Sequence, residues 1–308
     1  MQIEAELAGF TPRQETVLTI GVLDGVHLGH QELIGYLRRQ ALARDYLPGV
    51  VTFRNHPLDV LSPQTHLPRL TSLEERTRLL QGLGIELIVP LSFTPDLARV
   101  SARDFVALLQ KHLKMRGLVI GPDFALGRSR EGDISVLHSL GKERDFWVDV
   151  VPPKVINGEV VSSTSIRQAL AKGDTAKVKR LLGRPHALIG QVGHGAERGR
   201  QLGFPTANLE INSSQALPSD GVYATRAYVA GHSYPSVTNI GTRPTFGEGE
   251  RTVEVYLLDF EGTLYSQELR VELIERLRGE KRFSNPEELK NQISHDVERA
   301  RSILETEK

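Results

Sequence analysis

Two histidines three residues apart, set among glycines, are the side chains of this sequence best suited to act on a phosphate chain. They stand in Gly21-Val22-Leu23-Asp24-Gly25-Val26-His27-Leu28-Gly29-His30. Thr16 to Ile20, just before, is an apolar run with β-branched residues that predicts a buried strand, and Glu32 to Ala43, just after, carries apolar residues at helical spacing. The motif therefore falls on a strand-to-helix turn. Glycines let the backbone there approach a ligand, and the first free N–H groups of the helix suit a phosphate. His27 and His30 would share one face of the opening turn, with Gly21, Asp24 and Gly25 completing a nucleotide-binding turn. Imidazoles beside bare amides fit a triphosphate under attack at phosphorus, where charge gathers on the non-bridging oxygens. No Gly-x-x-x-x-Gly-Lys-Ser/Thr sequence occurs, so this is not a P-loop.

A second group of anion-binding residue types is Ser162-Ser163-Thr164-Ser165-Ile166-Arg167, opening a helix expected to reach Ala171 or Lys172. Hydroxyls there serve ordinary capping or an anion. Arg167 in the first turn opposes the charge preference of a helix N-terminus, a conflict that a nearby phosphate would resolve. Two more segments sit where open α/β sheets place ligands, at the C-terminal ends of strands. After a strand over Val50 to Phe53, Asn55, His56 and Asp59 are candidates for holding ribose, base or metal; the alternative is a loop whose Pro57 only stops the strand. After a strand over Gly117 to Ile120, the stretch Gly121 to Asp133 holds Asp123, Phe124 and Arg128 among glycines and arginines. It reads as a mobile loop folding over phosphates or as a solvated surface loop.

The elements that must position these residues follow from periodicity and punctuation. Pro48-Gly49 is expected to end the first helix, Thr71 or Ser72 to cap another that Gly82-Leu83-Gly84 closes, and Ser101 to open a helix to Leu113. Ile85 to Leu91 and Trp147 to Val151 add strands. Alternating βαβα units predict an α/β fold with a doubly wound parallel sheet. Beyond Leu181-Leu182-Gly183-Arg184-Pro185, from His186 to Leu273, short β-branched and aromatic runs alternate with Gly, Pro and Asn turns, the pattern of a small antiparallel β-barrel or sandwich. A chain of 308 residues also exceeds what one core usually serves, so two domains are expected, 1–183 and 184–308. The C-terminal helix, from Pro286 to about Leu304, presents Leu289, Ile293, Val297 and Ala300 at helical spacing and should pack on the barrel.

The barrel half has its own chemistry-bearing residues. Gly193, Gly195 and Arg200 lie in glycine-rich turns able to wrap a phosphate chain. Thr206 and Asn208, two apart on an extended segment, would point to one side and offer a hydroxyl and an amide oxygen to magnesium, a hard cation that takes oxygen ligands. Glu254 interrupts the otherwise apolar run Thr252 to Phe260; it is either a solvated, outward-facing carboxylate or a base within reach of a hydroxyl substrate.

Composition bounds the rest. Thirty-eight basic residues balance thirty-eight acidic ones, which argues against nucleic acid or membrane held by the overall field. Without cysteine there is no disulfide, thiolate metal site or cysteine nucleophile. Met1 to Leu7 is acidic rather than a signal peptide, and no apolar run approaches the roughly 20 residues that span a bilayer. A cytoplasmic protein is expected; homo-oligomer formation stays open.

His27-Leu28-Gly29-His30 after a first strand resembles the signature of the nucleotidylyltransferase superfamily. Taken in order with Gly121 to Asp133, Ser162 to Arg167, Pro205-Thr206-Ala207-Asn208 and Val237 to Thr245, it resembles the bacterial bifunctional riboflavin kinase and FMN adenylyltransferase, or FAD synthetase, family over nearly the whole chain. The resemblance implies ATP, riboflavin and FMN as substrates, FAD as product and Mg2+ as cofactor. It assigns His27, His30, Ser163, Thr164 and Arg167 to the adenylyl-transfer nucleotide, Thr206 and Asn208 to Mg-ATP of the kinase, and Glu254 to the general base. It makes Gly121 to Asp133 a flavin-side flap. The chain departs from the family pattern at Leu23, where phenylalanine is common, and at Asn55, where proline is. Rival readings are transfer to a different acceptor and a non-enzymatic flavin- or nucleic-acid-binding protein.

Overall fold

The computed structural model describes residues 2–193, 203–242 and 251–306. By the density of their internal contacts these fall into two compact units, Met1–Ser163 and Thr164–Lys308.

The first unit is built on five strands: β1 (Thr16–Ile20), β2 (Leu47–Phe53), β3 (Leu87–Leu91), β4 (Met115–Ile120) and β5 (Trp147–Val150). All pair in parallel, in the order β3-β2-β1-β4-β5. Every residue of β1 is buried, as a central strand covered by helices on both faces requires. The helices are α1 (Gln2–Ala8), α2 (Leu28–Leu42), α3 (Pro57–Leu61), α4 (Leu73–Gly82), α5 (Pro95–Ala98), α6 (Ala102–Leu113) and α7 (Ile134–Arg144). Two hydrophobic layers result. Leu18, Leu109 and Leu118 belong to one, and Val17, Leu37 and Val50 to the other. Alternate residues of β1 thus feed opposite cores.

Pro48 and Gly49, expected to end a helix, lie inside β2 instead. The reason is steric. A Cβ on Gly49 would come within 2.6 Å of Leu18 Cδ2 and 3.0 Å of Leu87 Cδ2, so the glycine is what lets side chains of both neighbouring strands close over β2. Periodicity also gave no warning of α1, α7 or the small hairpin of β6 (Val155–Ile156) and β7 (Glu159–Val160). Five and four residues are too short for a helical pattern, which hides α3 and α5 as well.

The second unit opens with α8 (Ser163–Ala171), whose first residue is counted with the first unit, and α9 (Thr175–Leu182). A closed barrel follows: β8 (His186–Gly193), β9 (Ala207–Ile211), β10 (Gly221–Val229), β11 (His232–Thr242), β12 (Arg251–Leu257) and β13 (Glu268–Arg278), in the ring order β10-β11-β12-β9-β8-β13 with antiparallel pairing throughout. Closure removes the exposed edges of a small antiparallel sheet. The C-terminal helix, Pro286–Thr306, lays Ala300 and Leu304 on Val222, Ala224 and Val237. Arg278 pins it through Asp296, a buried carboxylate that also accepts from Gln292.

Candidate functional sites

In the first unit the chain turns sharply as it leaves β1. Gly25 has φ 83°, but Leu23 and Val26 also take positive φ, 51° and 41°. For a β-branched residue such as Val26 this conformation is strained, of order 1–3 kcal/mol, and persists only where its surroundings enforce it. Those surroundings are visible. The Asp24 carboxylate accepts from the N–H groups of Leu70 and Thr71, each at 3.0 Å, and from the Thr71 hydroxyl. That hydroxyl in turn accepts from Gly25 N at 3.0 Å. Gln31 Nε2 donates to Val26 O at 2.9 Å. Asp24 therefore acts on the turn itself, stapling it to the segment that leads into α4.

The turn delivers His27 as the N-cap of α2, its Nδ1 accepting from His30 N at 3.3 Å. The two rings stack with centroids 3.6 Å apart and planes 18° from parallel. Gly29 lies close against the His27 ring. A Cβ there would meet His27 Cε1 and Nδ1 at 3.2 Å and tilt the stack. His27 is buried, and a cap acceptor at Nδ1 requires that nitrogen to be unprotonated. Burial above all, then the neighbouring His27 and then Arg76, push the His30 imidazole well below its ordinary value, so without a ligand it is neutral near pH 7. Among the described residues its Nδ1 is buried without a hydrogen-bond partner. A phosphate oxygen would supply that His30 nitrogen with a partner and the ring with a countercharge.

Strand order brings the other predicted segments to the same end of the sheet. Because β1 lies between β2 and β4, the turn after β1 is flanked by Asn55–Asp59 on one side and Gly121–Asp133 on the other. This is the crevice at the point where strand order reverses, where open α/β sheets bind ligands. Ser163, 139 residues from the turn in sequence, reaches it: its hydroxyl donates to Asp24 O at 2.8 Å. Thr164 and half-buried Arg167 follow on α8.

The flanking segments are already engaged in holding themselves. Asn55 clamps Phe93, accepting from its N and donating to its O, both at 2.9 Å. His56 caps α3, Asp59 completes the capping box, and the Asp59 carboxylate pairs with Arg69 at 2.5 Å. The Gly121–Asp133 stretch is closed on itself by Leu126 and Gly132, which exchange main-chain hydrogen bonds, and is docked by Glu131 onto Ala102 N at 2.9 Å. Asp133 caps α7, Phe124 leans on the core, and Arg128 pairs with Glu131 while remaining exposed.

In the barrel, register assembles the site. Asn208 on β9 stands opposite Glu254 on β12, and Glu254 stands opposite Asn239 on β11; Gly193 faces Asn208 from β8. Directly opposed residues share a face, with Cβ atoms about 4.5–5.5 Å apart. Val253, Val255, Thr238, Ile240, Ala207 and Leu209, which alternate with the polar residues, are buried toward the barrel interior. Asn208, Glu254 and Asn239 therefore form one half-buried row on the outer face, the face on which the C-terminal helix also lies. Thr206 precedes β9 and is half-buried. Tyr256, two residues from Glu254, packs edge-on against Phe204 with centroids 5.6 Å apart. Gly195 and Arg200 lie outside the described residues.

Sequence reasoning gave no role to Asn239 or Arg76, and offered Thr71 only as a helix cap, a place that Ser72 takes. Asn239 was within reach, since it interrupts an apolar alternation as Glu254 does; the parts that Thr71 and Arg76 play become visible only through contacts made 46 and 54 residues away. No group of three or more His, Cys, Asp or Glu able to hold a metal occurs among the described residues. The oxygen donors Thr206 and Asn208 instead fit magnesium, which is commonly held by few protein ligands together with substrate phosphates.

A parallel sheet with an imidazole pair at its switch point, joined to a barrel with an amide–carboxylate row, defines a two-domain nucleotide-dependent transferase. Comparison with known proteins agrees: the family model described as FAD synthetase matches residues 10–165, and that described as riboflavin kinase matches 182–304. Curated relatives named bifunctional riboflavin kinase/FMN adenylyltransferase are 39% identical in Escherichia coli K12, over 95% of this chain and 94% of that protein, and 39% identical in Pseudomonas fluorescens, over 98% of each. The chain belongs to the bifunctional riboflavin kinase/FMN adenylyltransferase family. A crystal structure described as that of a macrolide-efflux protein from Streptococcus pneumoniae superposes with a TM-score of 0.89 at 29% identity, covering 98% of this chain and 97% of that one. No helix among the described residues is long and apolar enough to cross a membrane.

Proposed function

We infer two successive reactions at two separate ATP sites. The chain is a bifunctional riboflavin kinase and FMN adenylyltransferase. In the barrel, the γ-phosphoryl group of ATP passes to the ribityl hydroxyl of riboflavin, giving FMN and ADP. In the sheet unit, the AMP moiety of a second ATP passes to the phosphate of FMN, giving FAD and pyrophosphate. Neither step needs a covalent enzyme intermediate, so alignment and charge neutralisation carry the catalysis.

The observation that carries this reading is the presence in one chain of both the His27–His30 stack and the Asn208–Glu254–Asn239 row. At the first, His27 and His30 bind the triphosphate, and Ser163, Thr164 and Arg167 hold the same nucleotide beside Gly21, Asp24 and Gly25. Asp123, Phe124 and Arg128 form the flavin side, with Asn55, His56 and Asp59 at the opposite edge. At the second, Glu254 takes the proton from the attacking hydroxyl while Gly193, Gly195 and Arg200 border the ATP phosphates. Thr206 and Asn208 would hold Mg2+, which when bound neutralises charge on those phosphates.

We propose the functional boundary at 183/184; the riboflavin kinase match, which begins at 182, supports it, although the compact units divide at 163/164. The substrates are small molecules of the cytoplasm, and the balanced charge favours neither nucleic acid nor membrane as partner. Incubation with riboflavin, ATP and magnesium, with the flavins separated over time, tests the whole scheme. FMN should rise and then yield to FAD. FMN alone would assign the sheet unit to another acceptor, and unchanged riboflavin would remove the kinase reading.

A further inference from the structure

Arg76, on α4, is 4% exposed and has no part in the scheme above. Arginine is almost never buried this fully unless its charge is engaged. Its terminal nitrogens engage main chain: Nη1 donates to Val22 O at 2.7 Å and Nη2 to Phe53 O at 2.5 Å. Phe53 is the last residue of β2, and Val22 lies just beyond the end of β1. One planar fork thus spans the ends of two adjacent strands, from which the His27–His30 turn and the Asn55–Asp59 segment depart. The Val22 carbonyl also accepts from Thr52 Oγ1 at 3.1 Å, so it is held from two sides immediately before the strained backbone of Leu23 and Val26. Around the guanidinium, Asp24 and Glu74 attract its charge, Arg69 opposes it, and His30 feels it. Its Nε and His30 Nδ1 are buried without hydrogen-bond partners among the described residues, two polar atoms of the site that the fold itself leaves unsatisfied.

We propose that Arg76 is a positioning residue for adenylyl transfer: its fork ties the carbonyls of Val22 and Phe53 together and so fixes the turn that presents His27 and His30 to the nucleotide. The proposal rests on the assignment of that turn to adenylyl transfer. Lysine can supply the charge but not two parallel donors in a rigid plane, so the fork and the charge are separable.

The test uses the full chain and begins with the unaltered protein, whose conversion of FMN and MgATP to FAD establishes the underlying assignment. Absence of FAD there would remove that assignment and the proposal with it. Given that activity, Arg76→Lys should lower kcat for FAD formation about 10- to 100-fold, the scale of a displaced catalytic group. KM for ATP should change much less, and phosphorylation of riboflavin in the same preparation should stay within about twofold, as expected of a displacement confined to one site. Arg76→Met should lose at least as much. Unchanged kcat in Arg76→Lys would overturn the proposal by showing that charge alone suffices. Equal loss of both reactions, or loss of cooperative melting in both variants, would overturn it by making Arg76 a residue of the fold.

Discussion

Under the proposed assignment, the two candidate sites would meet one demand, placing charge against a triphosphate, by opposite structural means. At the end of β1 the site is local: ten consecutive residues make a strained turn, a helix start and a stacked imidazole pair, and distant residues such as Asp24's partner Thr71 only hold that turn in shape. On the barrel nothing is local. Asn208, Glu254 and Asn239 come from three strands and meet only because the ladder places them opposite one another. A turn can thus be damaged by changing its supports, whereas a row is damaged through its members or its register.

The largest expected effects come from members. Glu254→Gln should reduce riboflavin phosphorylation by roughly 100-fold or more, the contribution typical of a positioned general base. Asn208→Ala should abolish it by removing the proposed magnesium ligand, and both should leave FMN adenylylation near normal. His30→Ala should do the reverse. Assay of both reactions on each folded variant decides the matter, and a single change that abolishes both would break the two-site picture.

A smaller effect should follow from Gly29→Ala, which alters no reacting group. The added Cβ at 3.2 Å from the His27 ring must displace it, so FAD formation should fall about 10-fold while the kinase rate holds. Equal FAD formation in variant and parent would mean that the stack tolerates movement, and that the turn is less demanding than its strained backbone implies.

What could be read from the sequence follows the same division. His27 and His30 were legible because their spacing and their glycines are contiguous. Thr206 and Asn208 stood out by their spacing of two on an extended segment, and their proposed magnesium role awaits the kinase assay. The Asn208–Glu254 pairing was not legible, because no pattern within β9 or β12 states which residue will stand opposite which. Arg76 was hidden more deeply: on α4 it looks like one more basic residue of an amphipathic helix, and its two carbonyl partners lie 54 and 23 residues away. Fold class was legible throughout, since period and punctuation changed together near Gly183. Gly49 misled because a glycine that punctuates a loop and a glycine that lets neighbouring strands close in are the same letter.

The extent of the barrel unit gives a further test. The chain from 184 onward contains every strand of the barrel and should phosphorylate riboflavin. It lacks α8 and α9, however, and these pack on the barrel: Ser219 N donates to Leu170 O at 3.2 Å, and Gly173 lies so close to Ser219 and Arg276 that a Cβ would reach within 2.5 Å of the Ser219 hydroxyl. A fragment beginning at 164 should therefore melt a few degrees higher than one beginning at 184, with similar kinase kcat, because 1 kcal/mol shifts Tm by about 2–4 °C in a domain of roughly 150 residues. Identical melting would place the two helices outside the kinase unit.

The effect that separates the sites by electrostatics is in pH. His30 has its proton affinity depressed in the folded, ligand-free protein by burial first, then by His27 and Arg76. In the unfolded chain it titrates near 6.5, so between that value and its lower folded value the unfolded state binds more protons. The stability tied to a neutral His30 is thus complete above about pH 6.5 and is lost as pH falls below it. Binding acts in the other direction. A polyphosphate beside the ring favours the cation, raises its proton affinity, and makes nucleotide binding take up a proton. ATP affinity at this site should therefore strengthen as pH is lowered from 8 to 6, by at most about tenfold per unit for one proton. At the barrel row, whose described residues Asn208, Glu254 and Asn239 include no imidazole, the slope should be weaker. His30→Asn should flatten both trends, the acid loss of melting temperature and the pH dependence of ATP binding in FAD formation. Equal slopes for ATP at the two sites would mean that the imidazole stack does not receive the proton, and would remove the electrostatic half of the contrast between turn and row.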